Sequence, residues 1–171
     1  MLLFVVQGGF EMSHFAELND SNVVQRVCVF SNSEISSNGG DWSDEAETFI
    51  ENRMGGSWKQ CSYNANQRGK YPGEGWTWNA SLSKFQEPKP FDSWSWNNTA
   101  NKYQAPITEP SKSQCEYTIG EWTSQATTFW DEDNTRWSAL FADNEGGADD
   151  SVNHSVTAKY WNADTSAWVN I

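Results

Sequence analysis

Ser13 beside His14, the lone His154 and three groups of carboxylates are where this chain could do chemistry. A serine nucleophile needs a base within reach and a third group to orient that base. Ser13–His14 near the start of the chain does not make such a triad, and His154 stands beside no evident nucleophile. The acidic groups are Asp131-Glu-Asp133, Asp143-Asn-Glu145 and Asp149-Asp150. Oxygen-rich clusters of this type can hold calcium. The calcium-loop pattern fails at the first of them, because Asp131-x-Asp133-x-Thr135 continues into Arg136 where glycine is required. No nucleophile elbow, zinc-protease helix, phosphate loop or dinucleotide fingerprint occurs. A carboxylate pair for glycoside hydrolysis has no fixed spacing and leaves no mark to find. The three cysteines, Cys28, Cys61 and Cys115, are odd in number and lack CxxC spacing. They read as reduced, half-buried thiols and not as a disulfide frame or a zinc site. The expectation is a protein with no catalytic residue, no metal and no cofactor.

The strongest pattern is aromatic. Trp78-Asn79 is followed by Phe85, Trp96-Asn97 by Tyr103, Trp130-Asp131 by Trp137, and Trp161-Asn162 by Trp168. The unit is Trp-Asx-x5-aromatic, four times, always with the second ring seven residues after the first. In an antiparallel hairpin with an even loop, facing residues are separated by an odd number. Seven therefore fits rings facing each other across a two- or four-residue loop, an arrangement contributing roughly 0.2–1 kcal/mol per pair. The Asx side chain is placed to accept a backbone N–H two residues on and start the turn. The predicted loops are 80–83, 98–101, 132–135 and 163–166. Leading tryptophans recur after 18, 34 and 31 residues, too unevenly for a solenoid or propeller. Trp76/Trp78 and Trp94/Trp96 are i, i+2 pairs, each on one face of its strand. Such rings can be core, or they can be a platform on which sugars stack. Packing on one another is the favoured reading, because aliphatic residues are scarce.

These devices need a frame. The chain has 171 residues with 11 Lys and Arg, 23 Asp and Glu, and a formal charge of −12. That balance argues against a nucleic-acid groove or an anionic-membrane binder. No apolar run approaches the roughly 18 residues of a membrane span. Aromatic residues number 25, against 19 Leu, Ile and Val together. Each large ring can bury about 150–250 Å², so aromatics can replace an aliphatic core. Residues 1–11 imitate a signal peptide poorly and read as a mis-assigned or disordered extension, with Met12 as the expected start. Residues 12–72 read as an α+β docking unit. Phe15–Leu18 and Val23–Phe30 form a hairpin about the turn Asn19–Asn22, and Ser31–Gly40 is a loop. A helix capped by Ser43 follows, with Ala46, Phe49, Ile50 and Met54 on its apolar face. Gly55-Gly56 ends it, and Ser57–Tyr63 returns as a strand. Residues 73–171 hold all five prolines but one and read as a Trp-rich hairpin module. The expected fold is mainly β with a small ββ-α-β unit at its N-terminal end.

Several stretches carry a resemblance. They are Met12-Ser-His-Phe-Ala-Glu-Leu-Asn19 with Val23-Val-Gln-Arg-Val27, Gly55-Gly-Ser-Trp-Lys-Gln-Cys-Ser-Tyr-Asn64 with Arg68, and Gly73-Glu-Gly-Trp-Thr-Trp-Asn79 with Lys84-Phe85. Pro88-Lys-Pro-Phe-Asp-Ser-Trp94, Lys102-Tyr-Gln-Ala-Pro106 and Tyr160-Trp-Asn-Ala-Asp-Thr-Ser-Ala-Trp168 complete the set. The chain thereby resembles small virion-associated proteins of marine cyanophages and related phages of ocean bacteria. The resemblance covers over half the chain. It departs at Cys61, where the family more often has Thr, and at Tyr71–Trp76, and it does not extend through 107–155. It implies a non-enzymatic structural part of a virion and does not imply a position in the particle. The expected role is on the head surface or in the tail and fibre, contacting other virion proteins in several symmetric copies. The resemblance brings no catalytic or ligand residue with it. The alternative is a glycan-binding module of a phage fibre, which would present Trp76 and Trp94 as exposed rings.

Overall fold

The computed structural model describes residues 12–119, 121–142 and 156–171, with Trp122 described by its backbone alone. His154, Asp143–Glu145, Asp149-Asp150 and residues 1–11 lie outside the described residues. The protein is mainly β, with a small α+β part, as the sequence predicts. It divides into two compact units, 1–89 with 96–102, and 90–95 with 103–171.

In the first unit, β1 (Met12–Leu18) and β2 (Val24–Ser31) form the predicted hairpin. Asn19 Oδ1 closes its turn by accepting the N–H of Ser21 and of Val23, each at 2.9 Å. The stretch expected to be an unbroken loop opens instead with α1 (Asn32–Ser36). Ser31 Oγ caps it by accepting the Glu34 N–H at 3.3 Å, and Ile35 is buried beneath it. Next comes α2 (Asp44–Met54), with Ser43 Oγ accepting the Ala46 N–H at 3.0 Å. The last strand of this sheet is β3 (Ser57–Cys61), and the antiparallel order is β2-β1-β3.

The apolar face of α2 differs from expectation at two positions. Ala46 and Ile50 are buried, Phe49 is half-buried and Met54 is exposed. The buried neighbour is Glu47, because three donors meet it. Arg68 and Lys59 pair with its carboxylate, and the Gln60 N–H donates to it at 3.0 Å. Burial pushes the Glu47 carboxyl up, but the bonds from Arg68, Lys59 and Gln60 outweigh it and hold the group below its usual range.

One sheet face packs on the helices through Phe15, Phe30, Ile35, Ala46, Ile50 and Trp58. The other face receives β4 (Thr77–Asn79) and β5 (Lys84–Gln86), the first repeat hairpin. Trp78 and Phe85 are buried there against Ala16, Leu18, Val24 and Cys61. Backbone bonds fix the attachment: Val24 N–H to Trp76 O at 2.7 Å, Trp78 N–H to Asn22 O at 2.8 Å, and Phe85 N–H to Arg68 O at 3.0 Å. A boundary at 72/73 therefore falls inside the first unit. Composition changes there, but the hairpin supplies the second cover of the N-terminal sheet.

The second repeat hairpin, β6 (Ser95–Asn97) with β7 (Lys102–Gln104), is divided by the partition between units. In the second unit, β8 (Glu116–Ile119) pairs with β9 (Trp122–Gln125). A four-stranded antiparallel sheet follows in sequence order: β10 (Thr127–Asp131), β11 (Arg136–Ala142), β12 (Val156–Asn162) and β13 (Ala167–Asn170).

All four repeat loops close alike. The last loop residue, Ser83, Asn101, Thr135 or Ser166, adopts a positive φ of 49–51°. The Asx side chain reaches one residue further than expected. Asn79, Asp131 and Asn162 accept the N–H three residues on, from Leu82, Asn134 and Thr165, and Asn97 accepts from both Thr99 and Ala100. The loop is thus a capped single turn followed by a left-handed residue, the geometry that brings a four-residue loop back into register.

Candidate interaction surface

The large sheet is built from the third and fourth repeats. Trp130 faces Trp137, and Trp161 faces Trp168. Ser138 faces Tyr160, so one step along the same register Trp137 stands beside Trp161. The four tryptophans make a row across all four strands. Ring centroids lie 5.4 Å apart for Trp130–Trp137 and 5.3 Å apart for Trp161–Trp168, both edge to face. This face closes on Phe91, Trp94, Ala105 and Ile107. The indole N–H groups are bonded inward, Trp137 Nε1 to Ile107 O at 2.9 Å and Trp168 Nε1 to Gln114 O at 2.7 Å.

The two rings expected to face outward do not stand free. Trp76 is half-buried against the core of the first unit. Trp94 is half-buried in the second, 6.1 Å from both Trp130 and Trp137, and its Nε1 is buried without a hydrogen-bond partner. Among the other repeat residues, Trp78, Phe85, Trp130, Trp137 and Trp161 are buried, while Trp96, Tyr103 and Trp168 are half-buried. Five of the eight repeat rings are thus core and three are partly covered.

The opposite face of the same sheet is where apolar surface remains. Directly paired residues share a face, so Phe129, Ser138, Tyr160 and Val169 form one row on it. Thr127, Leu140 and Ala158 form the next, and the Ile171 N–H donates to Ala158 O at 3.3 Å to continue it. Val156 faces Ala142 beyond that. Phe129, Leu140, Val156, Val169 and Ile171 are the exposed large hydrophobic residues of the second unit among those described, and all five lie here. Antiparallel sheets normally present a polar row on the side away from their core. An apolar row there is a candidate interaction surface. Its polar margin is Arg136, which donates to Asp131 at 3.1 Å and lies over the Tyr160 ring at 4.6 Å. Compared with protein-family models, curated proteins and solved structures, the chain matches none.

Of the groups first considered for chemistry, those among the described residues are engaged in holding the fold. Ser13 Oγ lies 2.8 Å from Asn32 Oδ1 and 2.7 Å from Asp41 Oδ1. The His14 ring packs on Tyr63 and Tyr71. In the acidic group at 131–133, Asp131 accepts from Asn134 and Arg136, and these bonds hold its carboxyl low against the upward push of desolvation. Glu132 accepts from the Ser93 N–H at 2.8 Å, Ser93 Oγ at 2.6 Å and Trp130 Nε1 at 2.7 Å. Among the described residues no group of three or more His, Cys, Asp and Glu could hold a metal ion.

The exposed sheet face was not foreseen from the sequence. Its signal was present in Ala139-Leu-Phe-Ala142, where apolar residues occupy both parities of a strand. A strand apolar on both parities has apolar side chains on both sheet faces.

Proposed function

We propose that this chain is a non-enzymatic structural protein of a bacteriophage particle, on the head surface or in the tail and fibre, that joins neighbouring virion proteins through the exposed face of its four-stranded sheet. The observation that carries the reading is the gathering of Phe129, Leu140, Val156, Val169 and Ile171 on that one face. Fully burying such a side chain contributes about 1.5–3 kcal/mol. Covering five half-exposed ones reaches the lower end of the about 4–15 kcal/mol that association costs. A contact of that strength suits a part used in many symmetric copies, where each site is weak and the array is not. The phage setting rests on the resemblance of Met12–Asn19, Ser57–Asn64 and Pro88–Trp94 to marine phage virion proteins. The inward-turned repeat rings favour a structural role for the repeat over a sugar platform at Trp76 and Trp94.

Quantitative mass spectrometry of purified virions tests the proposal, with copy number scaled to the major capsid protein. Hundreds of copies place the chain on the head, and a few to a few tens place it in the tail. Absence from the particle overturns the reading. Phage carrying Leu140→Lys together with Phe129→Lys should assemble particles depleted of the protein while the folded chain accumulates unincorporated.

A further inference from the structure

The first unit carries an open groove of about 660 Å³, within the 300–1,000 Å³ on the order of which ligand clefts fall. It lies at the Met12 end of the three-stranded sheet and shares no residue with the face proposed above. Two exposed rings stand on it, Tyr63 at 69% and Trp42 at 36% exposure. The polar lining is unusual for a structural crevice. Asn32, Gln60, Asn64 and Asn66 contribute amides, Ser13 and Ser62 hydroxyls, and Asp41 a carboxylate. Neither Lys nor Arg is among the lining residues.

Part of this wall is held rigid from below. Gln60, with 2% of its surface exposed, donates through Nε2 to Asp41 Oδ1 at 2.6 Å and accepts the Trp42 N–H on Oε1 at 2.6 Å. Ser13 Oγ approaches the same Asp41 oxygen at 2.7 Å. Trp42 sits at φ 67°, a conformation that a bulky residue adopts only where its surroundings impose it. Such strain collects at binding positions. The Arg68 guanidinium lies 5.7 Å from one side of the Trp42 ring, and Tyr63 is stacked on His14 at 5.7 Å. Both rings are therefore oriented before any ligand arrives, which removes an ordering cost from binding.

We propose that this groove binds a neutral oligosaccharide. Ring faces suit the C–H faces of hexoses, and the exposed Asn64 amide and Asp41 carboxylate suit their neighbouring hydroxyls. The lone carboxylate and the absence of lining cations disfavour a sialylated or phosphorylated glycan.

The test is calorimetric titration of the full chain with maltohexaose, cellohexaose, mannohexaose and chitohexaose, one at a time. The expected result is saturable binding of at least one of them. Trp42→Ala and Tyr63→Ala should each weaken it tenfold or more, with circular dichroism showing the fold retained. Tyr63 is the second variant because its removal leaves the Gln60 network untouched. Leu140→Lys should bind as the unaltered chain does, so failure at the sheet face and failure here are separable. No binding of any hexaose, binding indifferent to both ring variants, or a groove that takes up only peptide overturns the proposal.

Discussion

Arg68 donates an N–H of one guanidinium nitrogen to the buried carboxylate of Glu47, and through it the segment after β3 is tied to helix α2. The same nitrogen donates to the Gln60 carbonyl oxygen at 3.0 Å, and the guanidinium lies 5.2 Å from the Trp78 ring. One side chain thus links the helix, the edge strand and the first repeat hairpin.

Glu47→Gln should destabilise the first unit by roughly 2–4 kcal/mol, because a buried pair that loses one partner leaves the other uncompensated. The pH dependence follows from the lowered carboxyl. The unfolded chain takes up a proton on this residue at higher pH than the folded chain does. Its contribution is therefore complete above the usual carboxylate value of 4.5 and is lost as pH falls toward the lower folded value. Chemical denaturation of both proteins between pH 7 and pH 3 checks this. The difference between wild type and Glu47→Gln should shrink steadily in the acid range.

The repeat loops carry avoidable strain. Thr135 is β-branched and holds φ 49°. Thr135→Gly or Thr135→Asn should stabilise by about 0.5–1 kcal/mol. Asn162→Ala should do the reverse, by about 1 kcal/mol, since it removes the acceptor for the Thr165 N–H. Thermal unfolding followed by near-ultraviolet circular dichroism reads both.

The two faces of the large sheet should respond oppositely to truncation. Trp137→Ala opens a void among Trp94, Trp130 and Ile107 and should cost about 3–5 kcal/mol. Phe129→Ser, on the exposed face, should change stability by less than about 1 kcal/mol and leave the sedimentation of the folded chain unchanged. Denaturation curves paired with sedimentation velocity separate the two effects.

Burial pushes the Cys61 thiol up to about 12. Iodoacetamide at pH 8 should therefore leave Cys61 unmodified in the folded protein and alkylate it once guanidinium is added. The half-buried Cys28 should react first. Peptide mass spectrometry over time distinguishes the sites.

Local signals carried the elements faithfully and longer reach poorly. Ser43, the Asn19–Asn22 turn and the seven-residue ring spacing each act within one turn or hairpin, so the sequence shows them directly. Glu47 in the core was not legible, since its partners Lys59 and Arg68 lie 12 and 21 residues away. The same holds for the first repeat hairpin, whose composition groups it with the second half while Trp78 and Phe85 pack on Ala16, Leu18 and Val24. The sheet face at Leu140 and the groove at Trp42 and Tyr63 are each assembled from several elements. No window of sequence contains either.

The tryptophan row has an optical consequence. Indoles 5.3–5.4 Å apart with tilted planes do not absorb independently. Their excited states couple, and energy taken up by one ring migrates along the row. The folded sheet should show a paired positive and negative band in its aromatic circular dichroism, with emission drawn from the lowest-energy indole. Both signatures vanish when the strands separate, so the molecule carries its own reporter of whether its largest sheet is intact.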